Sequence, residues 1–69
     1  MVLTQGAKGN NYIIKAVFGE GETRLHLEDM GFVPGTRLRV VSRMGRSLIV
    51  NVKGSSVALD EGLAKCVMI

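Results

Sequence analysis

The sequence predicts an all-β fold: a small closed or half-open barrel of about five strands, with one short helix and a single helical turn before the last strand. Three observations carry this expectation. Short runs rich in Val, Ile and Leu recur every handful of residues, glycine-bearing turn signals separate them, and only Glu22 to Met30 reads as a helix.

Gly6, Gly9 and "GNN" form an irregular lead-in loop. "NYIIKAVFG" follows as a strand, and with Lys15 turned to solvent, Tyr12, Ile14, Ala16 and Phe18 point inward. Gly19 to Gly21 is a turn into the helix. Glu22 opens that helix where the N-terminus favours negative charge, and Gly31 stops it. At about 100° per residue, Thr23, Leu27 and Met30 share the face laid on the core, and Leu25 falls on the opposite side near Asp29.

"FVPGT" is a turn with a mechanism: Pro34 presets φ at its second position and Gly35 takes the positive φ of a type II third position. In "TRLRVVSRM" alternation puts Leu38, Val40 and Met44 on one face and Arg37, Arg39 and Arg43 on the other. Gly45-Arg46 reverses the chain into "SLIVNV", with Leu48, Val50 and Val52 inward and Asn51 outward. Lys53-Gly54 turns it again into "SSVAL", with Val57 and Leu59 inward. Asp60 is placed to cap one helical turn in "DEGLAK", and "CVMI" is the last strand.

A chain of 69 residues makes one domain, residues 1–69, and 46% hydrophobic with 22% charged composition is enough to close a core. The lone Cys66 excludes an internal disulfide framework and points to a reducing compartment. No run approaches the ~20 apolar residues needed to span a bilayer, and "MVLTQGAKGNN" lacks the order of a secretion signal. The expected location is the cytoplasm. Net charge is +3, with Arg37, Arg39, Arg43 and Arg46 within ten positions, so one face is cationic.

The order of these pieces resembles the FeoA family, of ferrous iron transport protein A. The matching residues are Gly6 and Gly9 before the first strand, "LEDMGFVPGT" from Leu27 to Thr36, and "KGSSVALDEGLAKCVMI" from Lys53 to Ile69. The sequence departs from the pattern at His26, where an arginine is expected, and in the short reversal from Met44 to Ser47. The resemblance implies an SH3-like barrel with a helical insertion. It also implies a cytosolic accessory that docks on the FeoB-type ferrous iron permease and modulates transport or GTP turnover, with no catalysis and no cofactor. The same barrel closes iron-dependent repressors, so the alternative is a regulatory domain binding a transition metal or a peptide. A chain that starts with Met and has no helix-turn-helix favours the standalone accessory.

Leu25 beside His26 and Asp29 is the expected partner-contact spot, and Arg37, Arg39 and Arg43 are the expected electrostatic face toward an acidic surface or the headgroups beside the permease. Contact with the membrane is expected only through the partner, and weak self-association stays open. Nucleic acid is not expected, because Tyr12, Phe18 and Phe32 are all sent inward and leave nothing for base stacking. For metal, His26 is the one candidate, with Glu22 at i, i+4 spacing and Asp29 one turn on. No base stands near a nucleophile and no glycine-rich loop opens a helix, so the chain is read as not an enzyme.

Overall fold

The computed structural model describes residues Met1–Ile69. The strands are β1 (Asn11–Ile13), β2 (Ala16–Val17), β3 (Arg37–Met44), β4 (Ser47–Val52), β5 (Ser55–Asp60) and β6 (Val67–Met68); the helices are α1 (Glu22–Asp29) and α2 (Glu61–Ala64). A four-stranded antiparallel sheet runs in the order β1-β3-β4-β5, and β2 pairs with β6 in a second ladder. The core between them is entirely apolar: no polar or charged residue is buried.

The expected first strand is two strands. The Ile14 amide donates to Thr36 O at 2.9 Å, while the next amide, Lys15, donates to Met68 O at 2.8 Å. Consecutive residues thus serve different sheets, and the pleat loses its phase between them. Ile14 is buried as expected, but Val17 takes the next inward place, and Phe18, expected inside, is 58% exposed. Ahead of the expected lead-in loop, residues Leu3–Gln5 form a 3-10 turn that plants Leu3 in the core.

Helix α1 ends one residue before the expected Met30, and its end explains the "LEDMGF" stretch. Gly31 has φ 98°, a region that L side chains avoid. Its amide donates to Glu28 O at 2.9 Å, and the Phe32 amide donates to Leu27 O at 3.0 Å. These are the paired bonds of a Schellman motif, in which the residue after the glycine and the one five before it are both apolar. Here they are Phe32 and Leu27, both fully buried. Thr23 and Met30 are half-buried beside them, so the core face of α1 is the expected one. The Thr36 amide closes the Pro34-Gly35 turn on Val33 O at 3.1 Å.

The β3–β4 hairpin carries one irregularity that decides a surface. The register runs Val40↔Val50, then Ser42↔Ile49 and Arg43↔Leu48, leaving Val41 unpaired as a bulge. Beyond it the facing of β3 inverts. Met44, expected in the core, is 67% exposed, and Val41 is exposed as well. Strand β4 holds its expected phase, with Leu48, Val50 and Val52 buried. The next reversal has φ 53° at Lys53 and 79° at Gly54, the signature of a type I′ turn. Asp60 Oδ1 accepts from the Leu63 amide at 2.9 Å and caps α2, whose Ala64 reaches the core.

Candidate functional site

Two outward surfaces come from these elements. The first lies between the helices. Because Leu27 must face the core, Leu25, two residues and about 200° away, must face out, and it is 60% exposed. Glu22, Thr23, Leu25, His26 and Asp29 of α1 and the half-buried Leu63 of α2 line one groove of about 460 Å³. The expected contact residues Leu25, His26 and Asp29 therefore do stand together. Leu63 completes the groove from the other end of the chain, and sequence reasoning missed it. Its signal was the Asp60 cap, which fixes a turn whose Ala64 faces in and so leaves its neighbour at the rim.

The second surface is the outer face of the four-stranded sheet. Arg37 and Arg39 alternate with buried Leu38 and Val40 and so point away from the core. Asn11, Arg37, Arg39, Asn51, Lys53 and Gly54 surround a shallow concavity of about 450 Å³, with Leu38 as its one apolar lining residue. The chain has six acidic residues, and all of them, Glu20, Glu22, Glu28, Asp29, Asp60 and Glu61, lie in α1, α2 or the residues flanking them. None lines this concavity; Asp60 shares the outer side of β5 but lies at its far end. The two ion pairs, Arg24–Glu28 at 3.8 Å within α1 and Lys65–Glu61 at 3.4 Å between α2 and its C-cap, leave the sheet cations uncompensated.

Arg43 does not belong to that face. The bulge at Val41 turns it to the side of its ladder partner Leu48, at the rim of the barrel. There its Nη2 donates to Thr4 O and, at 3.0 Å, to Gly6 O. It clamps the 3-10 turn and is committed to backbone carbonyls.

No group of three or more His, Cys, Asp or Glu side chains is placed to hold a metal ion, so His26 has Glu22 and Asp29 in its groove without a ligand set around it. Cys66 is half-buried, with its Sγ 3.6 Å from Gly62 O. No helix is long and apolar enough to cross a membrane.

A family model described as the FeoA domain matches residues 1–69. A putative Fe(2+) transport protein A of Methanocaldococcus jannaschii is 29% identical over 62 residues, covering 90% of this chain and 76% of that protein. A crystal structure of an iron uptake regulatory protein (FeoA) superposes with a TM-score of 0.90 at 29% identity, over 99% of this chain and 92% of that one. The Stenotrophomonas maltophilia FeoA complexed with zinc, described as a prokaryotic SH3 domain protein, gives 0.87 at 26% identity, over 99% and 87%. The architecture is accordingly an SH3-like barrel.

Proposed function

The chain belongs to the FeoA family, an accessory family of ferrous iron transport, and from that membership we propose that it docks on the cytosolic side of the FeoB-type permease and modulates iron transport or GTP turnover there. Its part is binding, with no chemistry of its own. The observation that carries the reading is the two-sided α1: Leu27 is fully buried while Leu25 is 60% exposed in a groove shared with Leu63. An apolar side chain held open between acidic neighbours on a fixed helix suits a protein contact, where a buried apolar anchor inside a polar rim supplies most of the affinity.

Titration calorimetry of the chain against the permease's cytosolic domain tests it. Binding is expected with the wild-type chain and lost with Leu25→Asp, which leaves the core untouched. If the wild-type chain neither binds nor changes GTP turnover, the docking reading fails.

A further inference from the structure

The outer sheet face has a built character of its own. Arg39 stands between Asn11 on β1 and Asn51 on β4, and Asn51 is opposite Ser56 on β5, so one polar row crosses all four strands. Arg37 is two residues from Arg39 on the same strand face, which sets their Cα atoms about 7 Å apart. Lys53 joins them around the concavity. It is the only non-glycine residue with positive φ in the chain, a placement that costs a side-chain-bearing residue about 1–2 kcal/mol. Its stem is held as well: a Cβ on Gly31 would lie 3.5 Å from Lys53 Cδ, so the aliphatic chain passes beside the glycine that ends α1. Past Arg37 the surface continues into a second hollow lined by Asn11, Tyr12, Ile13 and Arg37, where Ile13 is 48% exposed.

We propose that this face docks an acidic protein segment in extended conformation, with carboxylates at alternate positions followed by one apolar side chain. Charge complementarity makes the choice. Three cations without a carboxylate among them call for an anionic partner, and they lie spread along strand and turn instead of converging on a point. Carboxylates at i and i+2 of an extended chain repeat at the same ~7 Å as Arg37 and Arg39. Guanidinium groups pair with carboxylates bidentately, the Asn11 and Asn51 amides supply further donors, and Ile13 offers the next apolar contact. The inference concerns the sheet face alone and stands whichever protein supplies the segment, so it does not rest on the permease reading.

The test is an NMR titration of the ¹⁵N-labelled chain with the blocked peptide acetyl-Glu-Ser-Glu-Ser-Ile-amide. Amide shifts are expected at Ile13, Arg37, Arg39, Asn51 and Lys53, with affinity falling several-fold as ionic strength rises from about 20 to about 300 mM and the Debye length shrinks. Arg39→Glu, an exposed change that leaves the fold intact, should abolish the shifts. The proposal is overturned if the Gln-for-Glu peptide shifts the same amides equally, or if the perturbed amides lie on α1. It is equally overturned if pyrophosphate or phosphatidylserine vesicles bind this face while the acidic peptide does not.

Discussion

Arg43 stands directly across from Leu48 in the β3–β4 ladder, yet its guanidinium ends on the carbonyl oxygens of Thr4 and Gly6. A side chain that shares the inward side of a sheet can remain charged there only at the rim, where it reaches acceptors and water together. The 3-10 turn it holds carries Leu3 into the core. Arg43→Ala should therefore cost about 1–2 kcal/mol, the usual loss for a charged hydrogen bond in a partly open site. Arg39→Ala, on the outer face, should stay within about 0.5 kcal/mol. Urea denaturation of the two variants decides the matter, and equal losses would mean that the clamp contributes nothing.

Leu27 and Leu25 give the sharpest contrast within one helix. Truncating the fully buried Leu27 to alanine should cost about 2–5 kcal/mol, a large share of the stability of so small a domain. Leu25→Ala should melt within a few degrees of wild type, its effect confined to partner binding. Thermal melts followed by circular dichroism separate the two, and a comparable loss from Leu25→Ala would place that residue in the core.

Asp60 ties the groove to the barrel. Its carboxylate accepts from the Leu63 amide, and losing such a cap costs about 1 kcal/mol. Asp60→Ala should lower stability by that amount and, by fraying α2, displace Leu63 and weaken binding at the groove. Asp60→Asn keeps an acceptor oxygen and should restore both. Parallel melts and calorimetry on the pair of variants provide the check; an Asn variant as poor as the Ala one would rule out capping as the cause.

Lys53 should trade stability against binding. Asparagine tolerates left-handed φ and Asn-Gly is the preferred type I′ pair, so Lys53→Asn should gain about 1 kcal/mol, which corresponds to roughly 4–8 °C in melting temperature for a domain of this size. The same change removes one of the cations around Arg37 and Arg39 and should weaken the acidic-peptide titration. A variant that melts lower than wild type would contradict the left-handed turn.

Much of this was legible in the residues, and the failures share a cause. Alternation gives the facing of a strand only while the register is unbroken. From Arg37 to Val40 it holds, and Arg37 and Arg39 face out as expected; after the Val41 bulge, Met44 and Arg43 exchange sides. The warning was the adjacent pair Val40-Val41, two apolar residues where alternation demands one. Phe18 went wrong for a related reason, since the chain changes sheets between Ile14 and Lys15 and neither residue type marks the change. The helix was easier, because Gly31 and the spacing of Leu27 to Phe32 encode its end locally. The groove was half readable: Leu25, His26 and Asp29 follow from helical geometry, whereas Leu63 arrives from 34 positions beyond Asp29 and only the tertiary fold brings it there.

Met1 and Ile69 exchange backbone hydrogen bonds at 2.8 and 2.7 Å, and Val2 bridges Met68. Residues 1 and 69 are thus held side by side by a ladder that keeps their two stretches in register. A short glycine splice between them would add a turn without bending either stretch, and new ends opened at the Gly45-Arg46 reversal would leave each strand beside its present neighbours. Cyclised or permuted, the barrel would keep its topology, with both outward surfaces free of any seam.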